Sequence, residues 1–182
     1  MNRLLLVRHS QSAPQPEAPA AGWPLTPEGV ARCRPLANQL ATFEPDRIIA
    51  SVEPKASQTA AEIASHLGME WTTAAGLHEH DRTGEPFTSQ EEFVQRVTNF
   101  FNGPNELVLG RETAVQAQTR FVTAVQRLVA QYPGETLLII THGTVMTLFT
   151  SYFNPIAPIP FWQNLQMPDY RLYSLPDFHL IG

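Results

Sequence analysis

A single cysteine, Cys33, stands in a chain of 182 residues. No internal disulfide can form, and such usage suits a reducing compartment. No apolar run approaches the length needed to cross a bilayer. The N-terminus runs directly into a strand pattern without the layout of a signal peptide. A cytoplasmic location and no membrane association are therefore expected. Positive charge is also scarce. Twelve Lys and Arg against 17 Asp and Glu give a net charge of −5, which argues against nucleic acid as a partner. A phosphorylated ligand would have to be drawn in by a local cluster of cations. Repeats and linkers are missing too, and the length fits one domain over residues 1–182.

What is present alternates between strand and helix patterns. Arg3–Arg8, Arg47–Ser51, Glu70–Thr73 and Leu137–Thr141 read as strands, the last most clearly. Thr26 with Pro27 behind it reads as an N-cap and first helical position. The helix that follows presents Val30, Cys33, Leu36 or Ala37, and Leu40, and Pro35 inside it predicts a kink or an early break. A second helix runs from Pro54 to Gly68, and Ser89–Glu92 reads as a capping box opening a third through Phe101. Residues from Thr113 to Gln131 and from Thr144 to Phe153 have helical spacing, while Gln163–Met167 and Tyr170–Leu175 read as strands. The alternation implies an α/β sandwich around a largely parallel sheet. Sixteen prolines collect in loops, notably residues 14–27 and 154–160.

Polar, titratable residues follow three of the apolar runs, where open α/β sheets bind ligands. Arg8-His9 ends the first strand, Lys55 lies just past the second, and His142-Gly143 follows the fourth. A neutral imidazole can attack phosphorus and split one displacement into two easier ones. The transferring group keeps its charge on its oxygens, so cations must surround it. Arg8, Lys55 and a protonated His142 are candidates. Gly143 permits close backbone approach, and the helix beginning there offers N–H groups to an anion. An alkoxide leaves poorly without a proton. Glu79, in the segment Leu77–Gly84, is the candidate donor, its pKa raised beside anionic phosphate, with Asp81 and Glu112 in reserve. His78 and His80 invite a metal reading, but their spacing matches no specific ligand pattern, and neither a metal nor another cofactor is expected.

Taken in order, LVRH at 6–9, LTPEG at 25–29, S-x-x-x-K-A-x-Q-T-A at 51–60, L-x-E at 77–79, G-x-E-T before Arg120, and THG at 141–143 resemble the histidine phosphatase superfamily, also called phosphoglycerate-mutase-like. The resemblance implies a three-layer α/β/α sandwich around a mostly parallel, mixed sheet, and metal-free phosphoryl transfer. It makes His9 the nucleophile, Arg8 and His142 pocket residues and Glu79 the proton donor. Four positions depart from the family pattern: Ser10 replaces a glycine, Lys55 a phosphate-binding arginine, Gln11 a glutamate and Gln15 an asparagine typical of mutases. Lysine is a compact point charge where arginine presents a planar fork. The expected activity is that of a phosphomonoesterase forming a phosphohistidine on a small-molecule or protein-borne phosphate. A non-catalytic phospho-ligand module and, more weakly, a phosphomutase are the alternatives.

Overall fold

The computed structural model describes residues 2–182. Its sheet has five strands: β1 (Arg3–Arg8), β2 (Arg47–Ala50), β3 (Trp71–Thr73), β4 (Leu137–Thr141) and β5 (Asp169–Ser174). Their order is β3-β2-β4-β1-β5, parallel except for β5, which runs antiparallel to β1. Strand residues alternate between two cores, because successive side chains leave a strand on opposite faces. Leu4, Leu6, Leu137 and Ile139 meet helices α4 (Ala114–Gln131) and α5 (Gly143–Phe153). Leu5, Val7, Leu138 and Ile140 meet α1 (Pro27–Ala41) and α2 (Pro54–Leu67). All eight strand residues are buried, each apolar side chain contributing about 1.5–3 kcal/mol by leaving water. The expected α/β/α sandwich with a mixed sheet is thus what forms.

Four local expectations fail. Helix α1 continues through Pro35 without an early break. The carbonyl that loses its hydrogen bond there belongs to Ala31, and both residues sit on the solvent face, where water can serve it. Val30 also turns outward, and Gly29 takes its place on the buried side. Residues 163–167 do not form a strand. Helix α6 (Pro158–Asn164) occupies the first of them, started by Pro158 at a position that needs no N–H. Thr113 with Gln116 closes a full capping box at α4, whereas at α3 (Gln90–Asn102) only the Ser89 half forms.

Helices α3 and α6 pack a third apolar cluster, including Phe100, Phe101, Leu148 and Trp162, beside the carboxyl ends of the strands. This cluster raises one side of the site. No helix is long and apolar enough to cross a membrane among the described residues.

Candidate active site

Strands β1 and β4 are parallel neighbours with Arg8 opposite Thr141. The residues that follow them must therefore emerge together, and the His9 and His142 rings lie 5.2 Å apart. Arg8, His9, Lys55, Glu79 and Gly143 line one cavity of about 1040 Å³, with the fully buried His142 behind them. Folding thus gathers every candidate site residue into a single place.

His9 has a defined tautomer. Its Nδ1 lies 2.7 Å from the carbonyl of Ser10, which only accepts, so Nδ1 carries the proton and Nε2 keeps a lone pair. Burial holds its pKa well below the usual histidine value, and His142 and Lys55 push the same way. The ring is neutral, as a nucleophile must be. Ser10 contributes only its carbonyl, since its hydroxyl donates to the Gly29 carbonyl at 2.6 Å and faces away from the cavity.

The expected protonation of His142 is not what the structure supports. Burial holds its pKa well below the ordinary value, against the pull of Glu79, and leaves it neutral. Its Nε2 pairs with the Ser51 hydroxyl at 2.9 Å, and its Nδ1 is buried without a partner. Arg8 also keeps a buried, unpartnered atom, Nε, while its Nη1 donates to the Leu165 carbonyl at 2.7 Å. Unpartnered buried nitrogens cost stability unless something fills them, and an anion would. A Cβ added at Gly143 would stand 3.0 Å from Arg8 Nε, so glycine here lets the guanidinium lie against the backbone.

Lys55 is the chain's only lysine, and it is buried. Its ammonium contacts Glu53 at 2.6 Å and the Ala20 carbonyl of the proline-rich loop at 2.6 Å. Glu53 was not anticipated from the sequence, yet it knits the site. Its other oxygen accepts the Glu79 amide at 2.8 Å and lies 3.7 Å from His142 Nε2. The Lys55 charge is therefore already matched by a carboxylate.

The surroundings of Glu79 in the protein itself favour its ionised form. Burial favours its neutral form, but His142 whenever it carries a proton, the Arg82 cation and the Thr144 amide outweigh this and hold its pKa below the carboxylate range. Its carboxylate accepts N–H groups from Thr144 at 3.1 Å and Val145 at 3.2 Å. It thus caps α5 and takes the amides expected to meet an anion. Gly143 supplies the remaining N–H of that turn. Arg120 holds the loop beneath Glu79, donating to the carbonyls of Gly76 at 3.0 Å and His78 at 2.9 Å. It also pairs with Glu112, whose carboxylate accepts the Asp81 amide at 2.9 Å. Glu112 is thereby committed to structure, and Asp81 turns to the Thr83 amide at 2.8 Å. His78 and His80 do not converge as ligands: His80 stacks on Phe100 and pairs with the Leu109 carbonyl at 2.9 Å. No group of three or more His, Cys, Asp or Glu is placed to hold a metal among the described residues.

Two of the known proteins of similar structure carry phosphatase names. Phosphoserine phosphatase from Entamoeba histolytica, solved with 3-phosphoglyceric acid, matches with a TM-score of 0.79 at 18% identity, covering 100% of this chain and 94% of that one. Mycobacterial glucosyl-3-phosphoglycerate phosphatase matches with a TM-score of 0.78 at 16% identity over 99% and 95% of the two chains. YhfR of Bacillus stearothermophilus matches with a TM-score of 0.77 at 21% identity over 100% and 95%. At these identities the likeness establishes the fold. A search of curated protein sequences finds no match. The family profile of the histidine phosphatase superfamily (branch 1) matches residues 4–176, nearly the whole length. The chain belongs to that superfamily.

Proposed function

We propose that the protein is a phosphomonoesterase working through a phosphohistidine on His9. The observation that carries this reading is the neutral, Nδ1-protonated His9 beside two unpartnered nitrogens, on Arg8 and His142. In the proposed reaction the phosphoryl oxygens take Arg8, His142 Nδ1, the Gly143 amide and Lys55, and His9 Nε2 attacks phosphorus. The P–O bond to the alcohol breaks as the N–P bond forms. Glu79 gives the departing oxygen its proton, and the carboxylate then takes one from the water that releases phosphate. Glu79 starts ionised, so the proton enters with the substrate. A phosphate monoester has its second pKa at about 6, and binding the monoanion delivers the same proton as binding the dianion to a protonated acid. Activity should therefore be greatest on the acid side of neutrality.

The substrate is a small-molecule or protein-borne phosphate ester. The phosphatase names of the structural relatives support hydrolysis over phosphate return to a second hydroxyl. One observation favours a non-catalytic phosphate-binding module, namely that Glu53 already neutralises Lys55. A single comparison separates the readings. Wild type should hydrolyse an aryl phosphate and His9→Ala should not; equal rates, or none from either, would leave the protein without this chemistry.

A further inference from the structure

We propose that Arg82 binds a second anionic group, a carboxylate or another phosphate, on the alcohol part of the substrate. This rests on the phosphomonoesterase reading and adds the class of ester that the site is built to take.

Arg82 is the one cation of the cavity wall that neither a carboxylate nor a carbonyl holds. Among the described residues its guanidinium makes no hydrogen bond, while Arg96 on the same wall is paired with Glu85 and Glu92. Asp81, next in sequence, turns its carboxylate to Thr83 and faces Arg111. The Arg82 guanidinium carbon lies over the Phe93 ring, 4.8 Å from its centre, a cation–π contact that uses none of the N–H donors in a hydrogen bond. An unpaired arginine is ordinarily just solvated. This one is only half exposed, lines the same cavity as His9 and Glu79, and sits on a fixed backbone.

The backbone is fixed from two sides. The Glu85 amide donates to the Arg82 carbonyl at 3.1 Å, closing a turn, and the Arg111 amide donates to the Asp81 carbonyl at 2.8 Å. Gly110, at φ +73°, packs so closely that a Cβ there would run into the Asp81 carbonyl and the Arg82 Cα. Such a cradle holds Arg82 in place without touching its head group.

Position and charge identify what it binds. Arg82 follows Glu79 by three residues and lines the same cavity, and in the proposed reaction Glu79 marks the side where the alcohol departs. Lys55 is matched by Glu53 and Arg96 by Glu85 and Glu92, which leaves Arg82 as a cation of this wall with no hydrogen-bonded counter-ion. The cavity of about 1040 Å³ also exceeds what one phosphoryl group fills. Its wall beyond Arg82, with Phe87, Phe93 and Trp23, suits a carbon skeleton, with Trp23 and Phe87 edge to face at 6.1 Å.

Three glycerol-based esters test the assignment: glycerol 1-phosphate, 3-phosphoglycerate with its carboxylate, and glycerol 1,3-bisphosphate. The readout is the preference for each charged ester over glycerol 1-phosphate, as a ratio of kcat/KM. Arg82→Ala should reduce that preference by about ten-fold to a hundred-fold for the ester whose second anion Arg82 holds, the range for a hydrogen-bonded charge. Arg82→Lys should fall between, keeping charge and losing the fork. The same ratios, taken as dissociation constants on the His9→Ala protein, need no turnover. If wild type hydrolyses none of the esters, the phosphomonoesterase reading fails while these constants still judge Arg82. Unchanged ratios for both charged esters would overturn the proposal, whether the variants weaken all esters equally or none.

Discussion

Acid should unfold this protein through its active site. His9 and His142 are buried, and both have pKa values held well below the ordinary histidine range by burial and neighbouring charge. In the unfolded chain each imidazole titrates near pH 6.5, so below about that pH the unfolded state binds protons that the folded state refuses. The sign follows directly. Stability is complete above the unfolded pKa and drains away as pH falls, until the folded-state values are reached. At about pH 5.5, one unit below the unfolded pKa, each histidine contributes a loss of about 1.4 kcal/mol, or about 3 kcal/mol for the two. That is a large share of the 5–15 kcal/mol of a typical domain (about). Glu79 does not offset this, because a depressed carboxylate loses its contribution only below about pH 4.3. Urea unfolding at about pH 7.5 and about pH 5.5 measures the drop, in wild type and in a His9→Gln, His142→Gln double variant. Other titrating groups, including His78 and His80, remain in both proteins and cancel in the comparison. The variant should lose about 3 kcal/mol less than wild type across this interval. An equal loss would show that these rings are not held neutral, and the nucleophile assignment would lose its electrostatic basis.

Two further variants probe the rest of the site. Glu79→Gln should slow hydrolysis of alkyl phosphates by about a hundred-fold or more while sparing aryl phosphates whose leaving groups need no proton. Comparing the two ester types by kcat checks this, and an equal loss on both would remove Glu79 from the role of acid. Lys55→Met strands the Glu53 carboxylate in the interior and should cost about 3–5 kcal/mol by urea unfolding. Adding Glu53→Gln should restore most of it, and a failure to do so would mean that the pair is not what Lys55 stabilises.

The sheet was legible because β1 and β4 are uninterrupted apolar runs, buried on both faces, that end in charged or titratable residues. Their parallel pairing then makes the meeting of His9 and His142 a consequence of register. Pro35 misled because periodicity says which face a residue occupies but not whether water can reach the carbonyl a proline abandons. Residues 163–167 misled because a short mixed run there fits strand and helix equally, and packing of Trp162 against Phe93 and Phe101 decides it. Within the site, residue types were readable and protonation states were not. Glu79 reads in the sequence as an acid beside phosphate, and the pattern could not show that the N-terminus of α5 and its neighbours favour the carboxylate in the protein itself. Glu53 carried no signal, since its value lies in reaching Lys55, Glu79 and His142 at once. The proline at position 54 gave only the start of α2.

The most direct measurement is a rapid acid-free quench of wild-type protein mixed with an aryl phosphate, followed by peptide mass spectrometry of the β1 segment. Phosphate should appear on His9, decay in acid as a phosphoramidate does, and be missing from His9→Ala. Steady turnover with His9 unmodified at every quench time, or phosphate found on another side chain, would contradict attack by this imidazole.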